Sequence, residues 1–81
     1  MSVTIRLFAT LRDITGAGEL VRDVPPPATV ATAWRTLTRE WPALKPYRAS
    51  LSCAVNAEYA KFTDVIGEGD EVAFLPPVSG G

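Results

Sequence analysis

Few groups in this chain could do chemistry, and the most pointed is the glycine pair closing Pro76-Pro77-Val78-Ser79-Gly80-Gly81. Glycine has no Cβ and reaches backbone angles closed to other residues. A stalk ending in two of them can thread a narrow channel and present the Gly81 α-carboxylate to another protein's active site. The six-residue stalk spans up to about 20 Å when extended. Its carboxyl, with a reference pKa of about 3.5, is ionised at neutral pH and is a poor acyl donor. It needs activation, and an acyl-adenylate made with ATP is the economical route. The chain has no G-x-x-x-x-G-K-S/T phosphate loop, so it is expected to be the substrate of a separate ATP-using enzyme. The contrary reading is an ordinary frayed terminus.

The side chains point the same way. There is no histidine and a single cysteine, which rules out a disulfide within the chain, argues strongly against a zinc site of the usual ligands, and leaves the usual general base and triads missing. The reactive group is therefore expected on the main chain, with no metal and no bound cofactor. Cys53 invites a persulfide reading, but its parity with Leu51 and Val55 places it in a core, where free cysteine is commonly found. Trp34 and Trp41 read as core in preference to a ligand platform. Glu68, Asp70 and Glu71 are too sparse for a calcium loop. They read as a solvated turn, open to basic residues on an activating enzyme.

The elements that must position the stalk can be read from periodicity. Val3, Ile5 and Leu7 alternate with Thr4, Arg6 and Phe8, the two-residue period of a half-buried strand with the first set inward. Leu11 and Ile14 suit a short helical turn over Ala9–Thr15, broken by Gly16-Ala17-Gly18. Glu19–Val24 reads as a second strand, ended by Pro25-Pro26-Pro27. Thr29 caps a helix running to about Trp41, with Val30, Trp34, Leu37 and Trp41 on its buried stripe. Pro42 ends that helix, and Ala43–Arg48 is an irregular or short helical link. Leu51–Asn56 alternates again, Asn56-Ala57-Glu58 is a turn, and Tyr59–Lys61 is a short strand. Phe62–Ile66 is a connection, Gly67-Glu68-Gly69-Asp70 a turn, and Glu71–Leu75 the last strand, closed by two prolines.

Two hairpin strands, one long helix and returning strands make an α+β domain of the β-grasp type, a mixed sheet wrapped around one main helix. The first and last strands should lie side by side in mid-sheet. A ferredoxin-like fold would need a second long helix. The expected division is a domain over residues 1–75 and a flexible tail over 76–81. With 81 residues, 47% hydrophobic and 21% charged, the chain suits one soluble globular domain and not a disordered one. A net charge of −1 with scattered cations argues against a nucleic-acid partner. No apolar run approaches a membrane span and no export signal opens the chain, so the expectation is a cytoplasmic protein without a membrane partner. Parity also gathers an apolar patch near the root of the tail. If the first and last strands are neighbours, Phe8, Ala73 and Leu75 share the outer face and Tyr59 extends it. A contiguous patch beside a functional tail points to partner docking, against the ordinary scatter of exposed apolar residues.

Phe8-Ala9-Thr10-Leu11-Arg12, Ala54-Val55-Asn56 and the run Gly69-Asp70-Glu71-Val72-Ala73-Phe74-Leu75-Pro76-Pro77-Val78-Ser79-Gly80-Gly81 resemble the small, sulfur-carrying subunits of molybdopterin synthase. These belong to the MoaD/ThiS family of ubiquitin-like, β-grasp proteins, and the resemblance covers essentially the whole chain. It implies that Gly81 is adenylated by an E1-like enzyme using ATP and converted to a thiocarboxylate, with Gly80 permitting passage. The sulfur then goes to a cyclic pyranopterin monophosphate in a large catalytic subunit, the two kinds of subunit forming a heterotetramer. The chain itself would be a non-catalytic sulfur donor. The docking set implied is Phe8, Arg12, Tyr59 and Leu75, with the stalk residues Pro76, Pro77, Val78 and Ser79. Arg12 would be a polar rim contact. Some relatives place an aromatic residue before the proline pair, where this chain has Leu75. The proline pair favours the molybdopterin branch over thiamine-type carriers. The alternatives are a sulfur carrier for thiamine, cysteine or thio-tRNA synthesis, a ubiquitin-like modifier joined through Gly81 to a lysine, and an interaction module whose tail is incidental.

Overall fold

The computed structural model describes residues 1–77. Val78, Ser79, Gly80 and Gly81, and the expectations that fall on them, lie outside the described residues. Strand β1 (Ser2–Leu7) buries Val3, Ile5 and Leu7, as the alternation requires. It turns through helix α1 (Ala9–Thr15) into β2 (Glu19–Asp23), which pairs antiparallel with it from Ser2↔Asp23 to Arg6↔Glu19. Gly16 ends α1 with φ 75°, and its N–H donates to the Arg12 carbonyl at 2.8 Å. That left-handed closure is the backbone reason for a glycine there.

After the prolines come β3 (Ala28–Thr29) and the long helix α2 (Val30–Glu40). Thr29 is its N-cap, and the Thr29 N–H donates to Thr32 Oγ1 at 3.1 Å, with the two hydroxyl oxygens 3.3 Å apart. Pro42 opens a 3₁₀ segment (Pro42–Ser50) immediately after the helix. Strands β4 (Ser52–Val55), β5 (Glu58–Ala60), β6 (Val65–Ile66) and β7 (Glu71–Leu75) complete the chain.

The main sheet runs β2-β1-β7-β4-β5. The first and last strands are parallel neighbours, with Thr4 opposite Glu71 and Leu7 opposite Phe74. A parallel pair needs a long crossover, and α2 is the element that makes it. The helix lays Val30, Ala33, Trp34 and Leu37 on the inner face of the sheet. Phe74 is the hub of that core, its ring centre 5.0 Å from that of Trp34 and 5.9 Å from that of Phe62. This is the expected α+β, β-grasp arrangement. Trp41 is only half-buried, packed at the core's edge under the Arg22 guanidinium. No helix among the described residues is long and apolar enough to cross a membrane.

One element departs from the sequence reading. Phe62–Ile66 is more than a connection, because Val65–Ile66 pairs antiparallel with Ala28–Thr29 in a second, two-stranded sheet. Two-residue strands carry no alternation to read. The pairing continues in hydrogen bonds from Val30 N–H to Asp64 O and from Ala31 N–H to Phe62 O, both 3.0 Å, so this segment supports the start of α2.

The β4–β5 hairpin turns through Asn56 and Ala57, with φ of 50° and 69°. Positive φ at both central residues matches the twist of the flanking strands, and the residue best suited to the second position is glycine. Ala57→Gly is expected to raise stability by about 0.5–1 kcal/mol, since relief of the left-handed strain exceeds glycine's entropic cost. Thermal unfolding should show a midpoint higher by roughly 4 °C.

Candidate functional site

The outward residues of five strands make one row across the sheet. Register places Glu19, Arg6, Ala73, Ala54 and Tyr59 side by side, from β2 through β1, β7 and β4 to β5. The small side chains in the middle of the row leave a depression, and the large ones at its ends and above it form walls. The result is a groove of about 330 Å³ lined by Arg6, Phe8, Ala54, Ala57, Tyr59, Glu71, Ala73 and Leu75. That volume lies at the lower end of the range for ligand and anchor pockets. Tyr59 is 86% exposed and Phe8 36%. Leu75 is half-buried at the end of β7, and Pro76 and Pro77 follow it directly.

The fold thus brings Phe8, Tyr59, Leu75 and Ala73 together, and places Pro76 and Pro77 at the groove's end of β7. It does not bring Arg12 among the lining residues. Arg12 lies exposed on α1 with its aliphatic stem over Gly18, where an added Cβ would stand 3.2 Å from Arg12 Cδ. Gly18 therefore makes room for the arginine stem, which ties α1 to the start of β2.

Arg6 and Glu71 form a charged end to the groove that residue-by-residue reading missed. The Arg6 guanidinium lies 3.8 Å from Glu71 and 3.9 Å from Glu19, and 5.8 Å from the centre of the Phe8 ring. Its Nε is enclosed without a hydrogen-bond partner. The signal was present in the alternation, since Arg6 lies between Thr4 and Phe8 on the outer face.

The acidic turn is structural rather than merely solvated. Asp70 Oδ2 accepts from the Gly67 N–H at 2.7 Å and Oδ1 from the Asn56 side-chain amide at 3.1 Å. Asn56 Oδ1 accepts in turn from the Glu71 N–H at 3.0 Å, and the Asn56 N–H donates to the Glu71 carbonyl at 2.8 Å. Glu68 accepts from the Ser2 N–H at 2.9 Å. One asparagine thus staples the β4–β5 turn to the start of β7, which fixes the two strands that form the groove floor.

The Gly67 N–H, followed by the Asn56 amide, holds the Asp70 carboxyl below its ordinary value. A depressed folded value means that Asp70 stabilises the fold above the unfolded carboxyl pKa, and that the contribution is lost as pH falls through the folded value. Asp70→Asn is therefore expected to be less stable than the native chain at neutral pH. The gap should close as pH drops below about 4, as read by urea unfolding across pH.

Cys53 is 2% exposed and its thiol donates to the Ala60 carbonyl at 3.1 Å. Burial, reinforced by Asp64 and partly offset by Arg48, raises its pKa. A buried, proton-retaining thiol makes a poor nucleophile, in keeping with a core role.

Comparison with known proteins bears on the family and the fold. The model of the ThiS family matches residues 5–81. The molybdopterin synthase sulfur carrier subunit of Arabidopsis thaliana is 31% identical over 81 residues, spanning 100% of this chain and 84% of that protein. The subunit of the same name from Escherichia coli is 33% identical, spanning 98% of this chain and 99% of its own length. Among solved structures, SAMP1 from Haloferax volcanii superposes with a TM-score of 0.88 at 33% identity, over 100% of both chains. With a family match over nearly its whole length and relatives of the same size at this identity, the chain belongs to the ThiS family.

Proposed function

We propose that this chain is the sulfur-carrier subunit of a molybdopterin synthase. Gly81 is activated by an E1-like enzyme with ATP, its carboxylate attacking the α-phosphorus and releasing pyrophosphate. Sulfide, as HS⁻, displaces AMP from the acyl-adenylate to give the thiocarboxylate. That sulfur bonds to a side-chain carbon of the cyclic pyranopterin monophosphate held by a large catalytic subunit, displacing an oxygen substituent from that carbon, and hydrolysis of the resulting acyl–sulfur bond leaves the sulfur on the pterin and returns the carboxylate. The chain contributes no catalytic side chain and no cofactor of its own, and works in the cytoplasm.

The observation that supports this most is the continuity of β7. Ala73 and Leu75 line the groove from it, and in the sequence Pro76-Pro77 and the stalk ending at Gly81 follow the same strand. A partner seated on the groove would lie at the root of the stalk that carries the reactive end. Phe8, Tyr59 and Leu75 are the apolar anchors of that contact, Arg6 and Glu71 its charged end, and Val78 and Ser79 the residues led into the partner.

The test is intact mass after incubation with an E1-like enzyme, ATP and a sulfide source. Exchange of one oxygen for sulfur in the C-terminal peptide is expected. A chain lacking Gly80 and Gly81 should show no exchange and should fail to restore molybdenum cofactor synthesis. If the shortened chain restores it, the carrier reading falls. Should sulfur load while thiamine, cysteine or thio-tRNA accumulates instead, the chain serves another sulfur pathway.

A second reading is favoured by one observation, the similarity to SAMP1, which an identity of 33% over 94% of this chain connects to a protein named small archaeal modifier protein 1. Here Gly81 would end in an isopeptide bond to a lysine. A ladder of conjugates on a denaturing gel, absent without Gly81, would support it.

A further inference from the structure

The cations dispersed along the sequence are gathered by the fold. Arg35, Lys45 and Arg48 stand around one cavity of about 310 Å³ between α2 and the 3₁₀ segment, completed by Ala31, Trp34 and Thr38. None of the three cations is in an ion pair among the described residues, where the pairs are Arg6 with Glu19 and Glu71, and Arg22 with Glu40. No carboxylate lines the cavity. Arg48 is held in place by stacking, its guanidinium carbon 3.5 Å from the centre of the Phe62 ring. The Thr38 hydroxyl donates to the Arg35 carbonyl at 3.0 Å, and so braces the turn of α2 that carries Arg35.

Trp34 supplies the second observation. Its side chain is 95% buried, being 5% exposed, yet its indole N–H has no acceptor among the described residues. Nor is that N–H sealed in, because the enclosed side-chain polar atom lacking a partner is Arg6 Nε and not the indole nitrogen. Trp34 is also one of the residues that line this cavity. Two guanidinium forks and an ammonium around one shallow site, with no opposing carboxylate, are complementary to a doubly charged oxyanion.

We propose that this cavity binds the phosphate group of a small molecule. It lies on the helix side of the sheet, whereas the groove lies on the outer face, so both can be occupied at once. The proposal does not rest on the carrier reading.

The experiment is a titration of the isotope-labelled full chain at low salt, following the two indole N–H resonances. Inorganic phosphate, adenosine monophosphate and a glutamate-rich peptide are added in separate arms. The Trp34 resonance should move saturably with phosphate and with the nucleotide, while that of Trp41, outside the cavity, stays put. Tighter binding of the nucleotide than of phosphate would assign the source as a phosphate ester. Equal binding would assign it as the free anion. Arg35→Gln combined with Lys45→Gln changes only exposed side chains and should weaken binding at least about tenfold. The proposal is overturned if neither phosphate nor nucleotide moves Trp34, if both indoles drift together, or if the double variant binds as the native chain does. A shift with the acidic peptide alone would also overturn it and would make this face a protein-docking surface.

Discussion

Leu75→Glu is expected to leave the chain folded and to remove its binding to a catalytic partner. Leu75 is half-buried on the outer face, where its strand neighbour is Ser52, and substitutions at such positions usually move stability by less than about 1 kcal/mol. In the complex the same side chain would sit in a dry groove between Phe8 and Tyr59. A carboxylate there would be desolvated next to apolar walls, with Arg6 already shared between Glu19 and Glu71. Central anchors of this kind are worth about 2–4 kcal/mol, which corresponds to a loss of roughly 30- to 1,000-fold in affinity. Calorimetric titration of the large subunit with native and variant chains measures it. A variant that binds within threefold of native would remove the groove from the interface. Activation by an E1-like enzyme, tested separately, reports whether that enzyme uses the same groove.

What the sequence carried about this site follows from parity. Once Val3, Ile5 and Leu7 face inward, Arg6 and Phe8 must face outward, and once Val72 and Phe74 face inward, Ala73 and Leu75 must face outward. Placing β1 beside β7 then joins the two outward sets, and the structure has this pairing. Helix α2 was legible for the same kind of reason, since its cap, its buried stripe and Pro42 all agree. Features that depend on contacts between distant segments were not legible. The Asn56–Asp70–Glu71 staple joins residues 14 and 15 positions apart, and neither partner announces the other. The β3–β6 pair is too short for any period. The basic cavity draws Arg35 from a helix and Lys45 and Arg48 from an irregular segment, so that cations which look scattered along the chain become neighbours only when Pro42 folds that segment back over α2.

The groove and the core share one strand, and that makes a second substitution informative. Phe74 is fully buried, touches Trp34 and Phe62, and lies on β7 between the groove residues Ala73 and Leu75. Phe74→Ala removes the largest fully buried side chain from a core that a chain of 81 residues can ill spare. The expected loss is about 3–5 kcal/mol, set against a total stability of roughly 4–12 kcal/mol for a domain of this length. Thermal unfolding should show a midpoint about 20 °C lower, and Phe74→Leu, which keeps most of the volume, should recover the greater part of it. A fall of less than 1 kcal/mol for the alanine variant would contradict the packing described for the hub. At low temperature, where part of the Phe74→Ala chain is still folded, its apparent affinity for the partner should fall chiefly in proportion to the folded fraction. Leu75→Glu should show the reverse pattern, with native stability and lost affinity. One residue apart on the same strand, the two variants separate what β7 does for the fold from what it does for the partner.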